Sequence, residues 1–301
     1  MKRSKTMMIA FLGPAVLSYL IVFLYPTLRT GAMSLFNVGN ITDPIAKWHF
    51  VGIANFRTLF TEDLFMASLK NIAGIWLWGG IGIFFVSLLF AVILTSGVRF
   101  KSFFRAVVYL PNVISAVAMG TMWIHYVYNV KYGLFKSFFG MLGFDSLANV
   151  QWTAPDSVFT ALIVAYSFGM VGYFMLIFMA GIEKIPADFF EAATIEGAGP
   201  VRKFRSITFP LLKDVIRTNI VLWSINAVGF FVWSQIFSPL TPEMGTVTPM
   251  IYMYQSVFGA NTVVTVRNVG AGAAVGVILT IIVVLSFLVT NVIFRDERLE
   301  Y

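Results

Sequence analysis

Residues 269–294 read VGAGAAVGVILTIIVVLSFLVTNVIF, 26 residues without one Asp, Glu, Lys or Arg. A helix needs about 20 apolar residues to cross a hydrocarbon core of about 30 Å, so this run is long enough, with a few residues to spare for tilt. Five uncharged runs precede it, at 7–28, 71–96, 106–128, 158–182 and 218–240, with lengths of 22, 26, 23, 25 and 23 residues. Inside lipid the backbone has no water to bond, so such runs are expected to be helical. A transmembrane barrel would alternate in segments of about ten residues instead, and that pattern is missing. The reading is an all-α polytopic membrane protein with six transmembrane helices.

Composition agrees. The chain has 301 residues, of which 12% are charged and 58% apolar, and its mean hydropathy is +0.84. Soluble domains carry about 25% charge, so a water-soluble enzyme of this size would lack polar residues to cover its surface. The net charge of +7 is scattered between apolar runs rather than gathered on one face, so it does not imply a nucleic-acid partner. There is no cysteine, which excludes disulfides and thiolate metal sites.

The first run follows Lys2, Arg3 and Lys5, as a secretory leader would, but it is longer than a leader core and ends at Tyr25-Pro26 without a small-residue cleavage site. It is read as a retained span. With the N-terminus inside, 14 Lys and Arg fall on the inner side and seven on the outer, which by the short-loop bias places both termini in the cytoplasm. Outside, the segment containing Tyr132 to Phe139 is apolar enough for a short interfacial helix. Residues 247–261 are uncharged but interrupted, and fit either a helix lining an outward vestibule or a packed surface helix.

The inner loop at 183–217 is punctuated differently. Pro186 with Asp188 reads as a helix start. Phe189, Phe190, Ala193 and Ile195 form an apolar set that Gly197, Gly199 and Pro200 interrupt, and Phe204, Ile207 and Phe209 form a second stripe ending near Pro210. Both glycines are read as turning the backbone. Such a helix-turn-helix suits a groove on a cytoplasmic partner, and equally an amphipathic loop against lipid headgroups.

Glu191-Ala192-Ala193, then Gly197 after three residues, then Ile207-Thr208-Phe209-Pro210 after nine more, resemble the "EAA" signature of membrane subunits of binding-protein-dependent ABC importers. Phe209 stands where Leu is usual, and Glu196 where Asp is often found. Val51 to Phe56, Phe103-Phe104-Arg105, Leu110 to Ser115 and Tyr132-Gly133-Leu134 resemble, in order, pieces of the carbohydrate-uptake branch near the maltose and glycerol-3-phosphate permeases of the first-subunit type. The stretch 240–245 departs from the Thr-x-Gly-Gly-Pro segment the family often has after the fifth span.

The resemblance implies the type I ABC importer permease fold over 1–301, with a core at about 67–294, in a prokaryotic inner membrane. It implies a second six-span permease subunit, in a heterodimer, two cytoplasmic ATPase subunits, an external or periplasmic solute-binding protein and a sugar substrate. Glu191, Ala192, Ala193, Glu196, Gly197, Ile207 and Pro210 would then couple the spans to an ATPase. The chain itself has no GxxxxGK[ST] run, so ATP and Mg are expected in the partners, and no cofactor on this chain. His49 and His125 form no metal cluster, and no catalytic set emerges.

Solute contact then falls to polar and aromatic residues of the runs: Asn112, Ser115, His125, Asn226, Phe230, Trp233 and Gln235, with Ser224 and Ser234 beside them. Neutral hydrogen-bonding groups beside aromatics suit a neutral hydroxylated solute, while the same groups also serve to glue helices together. None of the six runs contains a charge, which argues against an ion-coupled secondary transporter, the alternative reading. A non-transport membrane assembly subunit is the third.

Overall fold

The computed structural model describes residues 5–238, 244–259 and 267–294. Lys2, Arg3, Arg295 and Arg298, which entered the orientation count, lie outside the described residues, as do Leu240 to Glu243 of the departing outer segment. Its main helices are α1 (Ile9–Met33), α2 (Asp63–Thr95), α3 (Lys101–Val113), α4 (Ala116–Val127), α5 (Val158–Ile182), α6 (Ala187–Ile195), α7 (Lys213–Val228), α8 (Val232–Phe237), α9 (Pro249–Phe258) and α10 (Val269–Ile293). Among the described residues, α1, α2, α5 and α10 are long and apolar enough to cross a membrane, and the bent pair α3–α4 makes five if it is one span.

Two of the six runs are not continuous helices. The run at 106–128 breaks between α3 and α4, which meet at 95°. Pro111 removes an N–H inside α3, Ile114 is extended, and the Ser115 hydroxyl accepts from the Ala118 amide, capping α4. The run at 218–240 breaks at Gly229 to Phe231, between α7 and α8. There the Phe230 carbonyl, released from the helix ladder, accepts the Thr248 hydroxyl at 2.7 Å.

Prolines shape the helices that do continue. A proline ring clashes with the carbonyl four residues back. Pro26 follows a π-helical turn at Leu20–Leu24, and Pro210 follows one at Phe204–Thr208, so in both cases the crowded carbonyl lies inside the widened turn. A third widened turn, Ile75–Gly79, places the Trp76 carbonyl where the Trp223 indole N–H reaches it at 2.7 Å.

The chain divides into two compact units, Met1–Met66 with Tyr252–Ile281, and Ala67–Ile251 with Ile282–Tyr301. In the first, Phe36–Asn37 pairs antiparallel with His49–Phe50, and Met33, Val38, Val269 and Ala273 form a small core. Asn55 ties the strand to the short helix Ala54–Leu59 by donating to the carbonyls of Ser34 and Phe36, each at 2.9 Å.

The second unit is built on α5, which packs against α2, α3 and α7. Glycines set the closest approaches. A Cβ on Gly172 would lie 2.4 Å from the Val108 carbonyl oxygen, and one on Gly80 would lie 2.6 Å from the Trp223 indole nitrogen. Small residues of this kind let membrane helices meet backbone to backbone. The apolar outer segment after α4 contains the expected short helix, at Leu134–Met141.

Candidate functional site

The loop at 183–217 folds as a helix-turn-helix. Pro186, extended, is the N-cap of α6 rather than part of its first turn, and Asp188 sits in that turn, where the helix dipole favours a carboxylate. After Glu196 the chain reverses through Gly197, whose φ of +76° is the left-handed region glycine tolerates. Its N–H donates to the Thr194 carbonyl at 3.0 Å, and that of Ala198 to the Ala193 carbonyl at 2.8 Å. These two bonds make a Schellman turn. Gly199 differs from expectation. With φ −71° and ψ 170° it is ordinary extended backbone capping the next helix, which Pro200 begins.

The two arms are clipped together. Lys203 Nζ donates to Thr194 Oγ1 at 2.7 Å, and that hydroxyl donates to the Phe190 carbonyl at 2.6 Å. The loop is also anchored at its root. A Cβ on Gly181, near the end of α5, would lie 2.6 Å from Val215 and 2.9 Å from Leu212, and Lys101 pairs with Glu183 just beyond α5. From Pro200 the chain is helical to Leu211 and enters α7 with the Leu212 and Ile216 amides still bonded four residues back.

The apolar residues of α6 do not close on one buried face. Phe190 and Ala193 are half-buried, whereas Ile195 is 89% exposed and Val201, across the turn, 79%. Glu191, Ala192, Glu196 and Gly197 are exposed, Ile207 is half-buried, and Pro210 is exposed in the first turn after the π-helical segment. The arrangement is a braced projection with apolar tips, suited to insertion into a complementary groove.

The span candidates divide. Asn112 on α3 donates to the Gly169 carbonyl at 3.2 Å. The break before α8 sets Phe230 edge-on to Tyr166, ring centroids 4.7 Å apart, and Trp233 5.6 Å from the same tyrosine. Trp233 also covers Gly169, 3.7 Å from where a Cβ would stand. Asn112, Phe230 and Trp233 therefore gather around one turn of α5. Gln235 is half-buried on α8.

The others do not join them. Asn226 turns back onto its own helix, donating to the Leu222 carbonyl at 2.8 Å. Ser115 is a helix cap, and His125 is exposed on the widened turn ending α4. Ser224 bonds Trp76 Nε1 at 2.9 Å and Ser286 at 2.7 Å, which is helix-to-helix glue. Ser234 bonds the Thr246 carbonyl. The sequence reading missed Tyr166, the centre of the aromatic group. Its signal was a tyrosine about 12 Å into an uncharged run, deep in the hydrocarbon zone. Among the described residues, no three acidic, histidine or cysteine side chains gather as a metal site.

The family described as "binding-protein-dependent transport system inner membrane component" matches residues 83–298. A probable ABC transporter permease protein of Pyrococcus horikoshii is 32% identical over 286 residues, covering 90% of this chain and 95% of that protein. The permease protein NgcF of a diacetylchitobiose uptake system in Streptomyces coelicolor is 28% identical, over 91% and 78% of the two chains. A bacterial alginate ABC transporter, solved in complex with its alginate pentasaccharide-bound periplasmic protein, shares the fold with a TM-score of 0.78. That match covers 97% of this chain and 94% of the other, at 18% identity.

Proposed function

The chain belongs to the inner membrane components of binding-protein-dependent transport systems, and on that premise we propose that it is a permease subunit of an ATP-driven sugar importer. With a second permease subunit it forms the path of a sugar or oligosaccharide handed over by an external binding protein. Supporting the solute class are the diacetylchitobiose and alginate systems named for its relative and its structural neighbour, and the group of neutral aromatic and amide side chains around Tyr166. In this reading the chain makes six crossings with both ends inside and hydrolyses no ATP. The nucleotide and Mg sit in two ATPase partners.

The observation that carries the coupling role is the braced loop: α6, the Schellman turn at Gly197 and the Lys203–Thr194 clip, with Ile195 and Val201 left uncovered. Moving an inward/outward equilibrium from 1:99 to 99:1 takes about 5.5 kcal/mol of differential binding. A loop that bends absorbs such a bias, whereas one rigidly joined to α7 passes it on. In the assembled importer, Glu191→Lys or Gly197→Asp is expected to sharply lower ATP-driven uptake and binding-protein-stimulated ATPase activity, with the subunits still expressed. Unchanged uptake and stimulation in both variants would remove the role. Uptake that survives ATP depletion but follows an ion gradient would remove the ATP-driven reading altogether.

A further inference from the structure

The first unit holds a polar cavity of about 450 Å³ between the short helix Ala54–Leu59, α9 and the start of α10. Its polar lining is Asn55, Thr58, Glu62, Gln255, Ser256 and Asn268, and its floor includes Tyr252, 8% exposed. Glu62 is the one charged lining residue and is exposed at the rim. Among the described residues it has no ion-pair partner. Among the described residues its one side-chain bond comes from the Tyr252 phenol, which donates to Oε2.

The lining mixes donors and acceptors around a single charge. Both amide protons of Asn55 are spent on Ser34 and Phe36, so its oxygen is what it has to offer. The Ser256 hydroxyl proton is spent on the Tyr252 carbonyl, leaving lone pairs. The Asn268 oxygen accepts the Ala271 amide, so that side chain turns donor, as the Gln255 amide nitrogen and the Thr58 hydroxyl also can. Burial and the neighbouring Glu62 carboxylate both push the Tyr252 phenol up, which keeps it a donor to Glu62. Glu62 gives this lining its one negative charge, with acceptor oxygens on Asn55, Ser256 and Gln255 among its neighbours. The complement is a cation with several N–H groups, and a guanidinium has five in a planar fork.

We infer that this cavity receives a basic side chain, an arginine by fit, from the external binding protein when it docks on the importer. The inference rests on the importer reading above, which puts the loops at 29–70 and 241–268 on the outer face and requires a binding protein there. A carboxylate at the rim steers the approach of an oppositely charged partner and fixes its register more than it adds affinity.

The test uses the assembled importer in lipid nanodiscs, titrated with its solute-loaded binding protein and read by ATPase stimulation. Glu62→Lys is expected to raise the half-saturating concentration roughly tenfold, and Glu62→Gln by less, while flattening its salt dependence. Basal ATPase activity stays as in the wild type. Replacing one arginine of the binding protein by glutamate restores docking to the Glu62→Lys importer. Half-saturation and salt dependence unchanged in Glu62→Lys overturn the inference, although wild-type stimulation would leave the importer reading standing. No stimulation of the wild type at all would instead defeat that reading. Methylguanidinium serves as the free-cation probe in calorimetry. Tight, Glu62-dependent binding of it together with normal docking of Glu62→Lys would make this a small-molecule site and overturn the inference.

Discussion

Gly172→Ala tests the packing on which the candidate solute site depends. A Cβ at this position would lie 2.4 Å from the Val108 carbonyl oxygen and 2.6 Å from the Tyr109 Cα, both backbone atoms of α3 that cannot rotate away. Ordinary contact begins near 3.4 Å, so α3 has to retreat from α5 by about 1 Å. One turn along the same crossing, the Asn112 amide bonds the Gly169 carbonyl at 3.2 Å, already long. A retreat of that size ends the bond. Overpacking costs about 1–3 kcal/mol and the lost bond about 1 kcal/mol, against about 1 kcal/mol gained by replacing glycine in a helix. The net expectation is a loss of about 1–3 kcal/mol. Thermal unfolding of the purified chain in detergent measures it, with Gly82→Ala as the control, because nothing lies within 4 Å of a Cβ there. Gly82→Ala is expected to melt at or above the wild-type temperature and Gly172→Ala clearly below it. Equal melting of the two variants would refute the close α3–α5 crossing.

Asn219 on α7 is fully buried, and neither atom of its amide has a partner among the described residues. Leaving such a group unpaired costs about 1–3 kcal/mol, so Asn219→Leu is expected to raise the melting temperature, and a fall would mean the amide is satisfied. Thr194→Val removes the hydroxyl that links Lys203 to the Phe190 carbonyl. It is expected to lower the sugar transported per ATP hydrolysed while leaving subunit assembly intact, and an unchanged ratio would show that the clip is not part of the coupling.

The ends of α5 were legible to the residue. Its uncharged run stops at Glu183, and the helix stops at Ile182, because in lipid the same loss of water that excludes charge also enforces helix. The breaks at Ile114–Ser115 and Gly229–Phe231 were not legible that way, since the sequence stays apolar across both and charge counting does not register backbone direction. Local signals were present: Pro111, a capping serine three residues before Ala118, and Gly229 between two bulky stretches. In the inner loop the turn at Gly197 was readable from its punctuation, whereas Gly199 adopts a conformation open to any residue. Of the span candidates, Asn112, Phe230 and Trp233 converge, whereas Asn226 and Ser115 bond nearby backbone, as short polar side chains do, and residue type alone does not reveal that.

If the inner loop is the coupling element, the route of its motion follows from where the helix is stiff and where it gives. From Pro200 to Val228 the backbone is helical apart from Leu212, about 40 Å at 1.5 Å per residue. At Leu212 the amide still bonds the Thr208 carbonyl, and the Leu212 carbonyl accepts the Ile216 amide. The widened turn takes up the crowded carbonyl behind Pro210, and the helix runs on only to Leu211 before the turn at Leu212. The next interruption after Leu212 is Gly229 to Phe231, and Phe230 and Trp233 stand on that interruption and its far side, against Tyr166. On that reading, a displacement imposed at α6 passes the turn at Leu212 and runs along α7 to the residues that gather around α5. On the same reading, the break that charge counting missed is where a push from the loop would turn into a rearrangement of the aromatic group.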